Sequence, residues 1–219
     1  MATETARLGE GLSDGGFSNV AMIVPARRLA TTCGPSIPFC ETMIEFANPV
    51  APDRDLGKEY NRVIRQTGLP WVCLTDCDAL FLTRMDQVRA TMVEAITHYP
   101  ENGLFTCVTN RIYNRAQQLG GFSENSDILP HLKIALEQIA KPLDVVASAR
   151  PISGFMMLVS KRLWEKVGGF PEGGRFLQVD TKFSNRCRRA GSPPLVIRNI
   201  YMFHLYRFGT SRNDVSHLV

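Results

Sequence analysis

The chain has 219 residues, 44% of them hydrophobic, and a formal net charge of +4. That suits one sizeable α/β domain with its own core and leaves little room for a second. There is no run of about 18 apolar residues and no apolar stretch in residues 1–19, so neither a membrane span nor a secretory leader is expected. The expectation is a cytosolic protein with a poorly ordered tail over 1–18, one domain over 19–210 and a short tail over 211–219. The six cysteines (Cys33, Cys40, Cys73, Cys77, Cys107 and Cys187) lie mostly inside apolar runs. With no CxxC pair and four scattered histidines, they read as reduced core residues, and neither a disulfide framework nor a structural zinc site is expected.

In chain order, Val20-Ala21-Met22-Ile23-Val24 reads as a first strand ending at Pro25-Ala26. A loop-rich segment follows, with a short helix or strand around 39–46. Residues 53–67 are predicted helical: Leu56, Tyr60, Val63 and Ile64 recur at helical spacing, Asp53 or Asp55 is the N-cap, and Gly68 stands just past the end. Residues 71–81 read as one buried strand, 85–98 as an amphipathic helix and 104–108 as a strand. Residues 110–122 lack periodicity and hold Gly120-Gly121, the pattern of a mobile loop over a site. Helix is expected again over 127–140, strands over 144–146 and 154–159, and a short helix capped by Ser160 and ended by Gly168. A last helix over 178–190 precedes two extended pieces at 194–196 and 201–205. Strands alternating with helices predict a mostly parallel sheet covered on both faces.

The most informative stretch is Thr75-Asp76-Cys77-Asp78, where an apolar strand runs into two aspartates separated by one residue. Residues i and i+2 of an extended chain project to the same side, so Asp76 and Asp78 can share one cation. The same pattern also serves as a turn former or a helix cap. Residues 182–213 carry seven cationic side chains (Lys182, Arg186, Arg188, Arg189, Arg198, Arg207, Arg212) and no acidic one. A field of that sign favours a phosphorylated ligand or a polyanion, and its bland alternative is a solvated helix face.

Several segments, taken in order, resemble the nucleotide-sugar glycosyltransferases of the GT-A fold, in particular the family 2-like group and the galactosyltransferase-type C-terminal half. Ala21-Met22-Ile23-Val24-Pro25-Ala26 resembles the first strand of that family, Asp55-Leu56-Gly57-Lys58-Glu59-Tyr60-Asn61 its helix start, and Asp76-Cys77-Asp78 its DxD metal motif. Residues 153–170, from Ser153-Gly154-Phe155 to Gly168-Gly169-Phe170, resemble its acceptor-side strand, helix and turn. Asp180 to Gly191 is similar to its late "ED" helix, with Val179 in place of the first acidic residue and Lys182 in place of a later one. The segment between Pro25 and Asp55 is short for the family, and its Asp-Asp-Gly-Ser strand end is missing.

The resemblance implies a single GT-A domain, Rossmann-like, with a mostly parallel mixed sheet. It also implies inverting transfer of a sugar from a nucleoside diphosphate sugar, UDP-type, to an acceptor hydroxyl. It assigns Asp180 as general base, and Asp76, Asp78 and His204 as ligands of Mn²⁺ or Mg²⁺. Donor contacts fall on Pro25, Ala26, Asp55, Lys58, Thr75, Cys77 and Arg207, and acceptor contacts on Ser153, Gly154 and Trp164. For His204 the alternative is a strand histidine among apolar neighbours, and for Trp164 a core aromatic. A different class remains open: a polyanion- or nucleic-acid-binding module whose carboxylates are structural, or a glycosyltransferase whose acceptor is a modified DNA base. Tyr201, Phe203, Tyr206 and Phe208 interleave with His204 and Arg207 as such binding would need. No obligate protein partner is expected.

Overall fold

The computed structural model describes residues 55–67, 69–76, 79–121, 123–173 and 178–205. The expected strand at 20–24, Pro25, Ala26, the segment 39–46, both tails, Cys77, Asp78 and Arg207 lie outside the described residues. Helix α1 (Leu56–Gln66) starts at Asp55, whose carboxylate accepts the Lys58 N–H at 3.1 Å, so of the two candidate caps Asp55 serves. Its apolar positions Tyr60, Val63 and Ile64 are all buried. Helix α2 (Met85–His98) has the predicted bounds. Helix α3 (Ile128–Ile139) is capped by Asp127, and α4 (Lys161–Lys166) by the Ser160 hydroxyl, which accepts the Leu163 N–H. Helix α5 (Val179–Arg189) follows Gln178, a residue in the left-handed region at φ 62°. No helix among the described residues is long and apolar enough to cross a membrane.

The strands are β1 (Trp71–Thr75), β2 (Ala79–Phe81), β3 (Leu104–Thr109), β4 (Val145–Ala147), β5 (Met156–Ser160) and β6 (Leu195–His204). They form one sheet in the order β1-β5-β3-β6-β2, with β4 also paired to β6. Among the described residues only β3–β6 is parallel, and the other pairings are antiparallel. The sheet is therefore mixed, which corrects the expectation of a mostly parallel one. Alternation with helices predicts parallel pairs where successive strands are neighbours joined by a crossover. Here the antiparallel neighbours β1 with β5 and β2 with β6 are remote in sequence, and so is the parallel pair β3 with β6.

Two further corrections concern strand ends. The single strand expected over 71–81 is two: Thr75 pairs with Met156 of β5, whereas Ala79 pairs with His204 of β6. The chain steps from one neighbour to the other within Asp76–Ala79, and the Ala79 N–H donates to the Asp76 carbonyl at 3.2 Å. Conversely, the two extended pieces expected at 194–196 and 201–205 are one strand, β6, interrupted by a bulge. Cys107 pairs with Ile197 but Val108 with Tyr201, so Arg198, Asn199 and Ile200 sit between the two registers. Asp144 steadies them: its carbonyl accepts the Arg198 N–H at 2.8 Å and its carboxylate lies 3.6 Å from the Arg198 guanidinium.

Both sheet faces are covered, as alternation predicts. One layer joins Cys73, Phe105, Met156, Leu158 and Met202 to Val88, Met92, Ala95 and Ile96 of α2. The other joins Val72, Leu74, Met157 and Val159 to Tyr60, Val63 and Ile64 of α1 and to Phe183 and Cys187 of α5. Burying each large side chain contributes roughly 1.5–3 kcal/mol. Cys73, Cys107 and Cys187 are free thiols within these layers, and burial pushes the Cys73 thiol up to about 12.

Candidate functional site

At the end of β1 the Asp76 N–H donates to the Phe155 carbonyl at 2.8 Å, prolonging the pairing with β5 by one step. Its carboxylate is 38% exposed and reaches within 4.0 Å of His204 Nε2. His204 ends β6 with its side chain 1% exposed. Asn110 grips its backbone from both sides, accepting the His204 N–H at 2.8 Å and donating to the His204 carbonyl at 3.3 Å. The imidazole stacks on Phe155, centroids 5.2 Å apart, and its Nδ1 lies 3.2 Å from the Arg111 carbonyl.

That last contact fixes the ring's chemistry. A carbonyl oxygen can only accept, so Nδ1 carries a proton, and Nε2 is the ring atom that faces Asp76, presenting a lone pair whenever the ring is neutral. A lone pair facing a carboxylate is repulsive unless a cation or a proton lies between them. A divalent cation with bonds of about 2.1 Å holds adjacent donors roughly 3–3.5 Å apart, so a small side-chain movement would let this pair share one. A backbone carbonyl on the far ring nitrogen is the usual support of a ligating histidine. The imidazole shifts the preference within the predicted ions from Mg²⁺ toward Mn²⁺. No third His, Cys, Asp or Glu joins the pair among the described residues, and Asp78 lies outside them.

Asp180, in the first turn of α5, accepts the Gly154 N–H at 2.9 Å and the Thr181 N–H at 2.6 Å. Burial raises its carboxyl above the usual carboxylate range, and the two N–H bonds oppose that only in part. A Cβ on Gly154 would stand 3.1 Å from Asp180 Cβ, a tight contact to which Asp180 would have to yield. The Gly154-Phe155 step thus ties three predicted residues together: Gly154 binds Asp180, the Phe155 carbonyl binds Asp76, and the Phe155 ring packs on His204. Thr75 is buried beside them at the end of β1.

Ser153 is held by a residue that the sequence did not single out. Buried Gln117 accepts the Ser153 N–H at 2.8 Å, and its amide donates to the Ser153 carbonyl at 3.0 Å and to Thr106 Oγ1 at 2.9 Å. Gln117 belongs to the segment expected to be a mobile loop. Instead Asn110, Arg111, Ile112, Asn114 and Gln117 are all buried, and a 3₁₀ turn spans Arg115–Gln117. Polar residues satisfied by backbone partners carry no hydrophobic period, so periodicity could not reveal them; the density of Asn and Gln was the available clue.

The remaining predicted contacts gather elsewhere, around the Gly168-Gly169-Phe170 turn. Trp164 is buried, and its indole N–H donates to Asn61 at 2.8 Å. Asn61 also accepts the Phe170 N–H at 2.8 Å and donates to the Phe170 carbonyl at 2.9 Å. Asp55 accepts the Gly173 N–H as well as capping α1, while Lys58 is exposed. In this arrangement Trp164 and Asp55 brace a turn.

In the described part of the cationic C-terminal stretch, Arg186, Arg188 and Arg198 are engaged by the fold, while Lys182 and Arg189 are exposed. Arg186 donates to the Gly169 carbonyl at 2.9 Å and Arg188 to the Ser148 carbonyl at 3.1 Å. Neither a family model nor a curated protein matches this chain. What is established among the described residues is an α/β fold with one mixed sheet, at one end of which Asp76, His204 and Asp180 are gathered around Gly154-Phe155.

Proposed function

We propose that this chain is a metal-dependent inverting glycosyltransferase of the GT-A type, moving a sugar from a nucleoside diphosphate sugar, UDP-type, to an acceptor hydroxyl. The observation that carries the reading is the approach of Asp76 to a histidine whose other ring nitrogen is already anchored, beside a partly desolvated aspartate. Asp76 and His204 would hold Mn²⁺ with Asp78 as the neighbouring donor in sequence. A bound divalent cation supplies Lewis-acid stabilisation to the departing diphosphate.

The chain's own residues do the rest. Asp180 takes the acceptor hydroxyl's proton on a carboxylate oxygen as the new glycosidic bond forms. Its two oxygens accept one backbone N–H each, and the Thr181 side chain adds a further hydrogen bond. Those two bonds orient the group, and desolvation makes it a stronger base than a solvated carboxylate. A single displacement needs one base and no covalent partner on the opposite face, which is why inversion is the expected outcome. Phe155 and Asn110 keep the His204 ring and backbone in place.

The test is a thermal-shift series with nucleoside diphosphates and their sugars, with and without Mn²⁺. A ligand that binds only the folded state raises Tm by mass action. One nucleotide should stabilise the protein only when the metal is present. Absence of any metal-dependent shift across the series would overturn the proposal.

A further inference from the structure

The described arginines divide sharply. Most are engaged, either in ion pairs such as Arg111–Glu124 or on carbonyls as Arg186 and Arg188 are. The exposed guanidinium groups of Arg115, Arg150 and Arg189 make no ion pair or hydrogen bond among the described residues.

The segments that carry these three arginines are tied together around residues 148–151. Asn114, next to Arg115, donates to the Pro151 carbonyl at 2.8 Å and to Ser148 Oγ at 3.3 Å, which brings the loop against the segment carrying Arg150. Arg188, next to Arg189, donates to the Ser148 carbonyl at 3.1 Å and to the Ala149 carbonyl. Neither segment brings a countercharge: residues 112–123 and 145–155 contain no Asp or Glu. Between the buried Ile112 and Asn114 stands Tyr113, 57% exposed. The same two segments lead directly to the site, since Gln117 clamps Ser153 and Gly154 holds Asp180.

We propose that Tyr113, Arg115, Arg150 and Arg189 form the acceptor-docking face of the site, and that the acceptor is a single-stranded nucleic acid. This rests on the glycosyl-transfer reading above. Guanidinium groups match phosphate oxygens with a planar fork, and an exposed aromatic ring on a packed loop is a platform for an unstacked base. An acidic peptide would use the charges but leave the ring without a role. A duplex would keep its bases stacked away from it.

The experiment measures binding alone, by fluorescence anisotropy of a fluorescein-labelled single-stranded oligodeoxynucleotide, with metal chelated and no donor, over a range of salt concentrations. Neutralising three phosphates at about 0.7 each contributes about 2 to the slope of log K against log salt. Arg115→Gln/Arg150→Gln/Arg189→Gln should fold, because these side chains brace nothing. It should bind about tenfold or more weakly, with the slope flattened by about 2. Tyr113→Ala should weaken binding and leave the slope unchanged. Wild-type affinity and slope in the triple variant, or equal competition by polyglutamate, would overturn the proposal. Binding that behaves as expected, in a protein that transfers no sugar, would count against the catalytic reading while leaving the docking face standing.

Discussion

The Asp180 carboxylate accepts the Gly154 N–H at 2.9 Å, and this one bond hangs the start of α5 on the turn whose next residue, Phe155, touches both Asp76 and His204. The candidate base and the candidate metal pair are therefore positioned by consecutive residues.

Replacing the base separates chemistry from folding. Asp180→Asn keeps the shape but can accept only one of the two N–H groups through its amide oxygen, a loss of about 1–3 kcal/mol. The variant should still unfold cooperatively in urea, while sugar transfer in a turnover assay falls by at least about 100-fold.

The raised carboxyl of Asp180 gives opposite pH signatures to activity and stability. A base must be ionised, so kcat/KM should fall as pH drops through the folded-state value, which lies above the ordinary 3.8. Linkage runs the other way. The stability contributed by this group is fully present below its unfolded value and is lost as pH rises through the folded one. A pH–rate profile together with wild-type and Asp180→Asn denaturation curves at several pH values will check both signs.

The metal pair should behave as one unit. Asp76→Ala should leave a protein that still unfolds cooperatively, yet abolish the Mn²⁺-dependent rise in Tm. His204→Ala removes the stacked ring and leaves the Arg111 carbonyl without its donor, at a cost of about 2–4 kcal/mol. In a double-mutant cycle on Mn²⁺ affinity by calorimetry, the second substitution should add little to the first.

Two adjacent glycines distinguish backbone strain from steric conflict. Gly168 and Gly169 have φ of 76° and 74°, but a Cβ on Gly168 meets nothing, whereas on Gly169 it would lie 2.7 Å from Asn61 Oδ1. Gly168→Ala should cost about 1–2 kcal/mol. Gly169→Ala should cost about 3 kcal/mol or more, because it also displaces the amide that serves Trp164 and Phe170. Urea midpoints at unchanged m will rank them.

Local structure was readable where one rule governed it. Asp55 and Ser160 cap helices because their side chains reach a free N–H, and α2 follows its apolar period from Met85 to His98. Strand direction was not readable, since pairing partners such as Trp71 and Ser160 are set by tertiary packing. Asp76, His204 and Asp180 could be named from their motif positions. Asn110, which holds His204, and Gln117, which holds Ser153, could not, because buried amides satisfied by backbone groups leave no period in the sequence. The charge of the C-terminal stretch overstated its availability: Arg186 serves turn carbonyls.

The bulge in β6 decides which way the imidazole faces. Ile197 belongs to the α2 layer, and strict two-residue alternation from it would send Tyr201 and Phe203 there too. The odd insertion of Arg198, Asn199 and Ile200 reverses the parity. Met202 and His204 take that side, while Tyr201 and Phe203 turn to His131 on α3. One residue fewer in this kink would aim phenylalanine at the carboxylate and bury the histidine under a helix. What the strand must preserve there is an odd tally, and two of the residues that make it up, Asn199 and Ile200, are themselves buried.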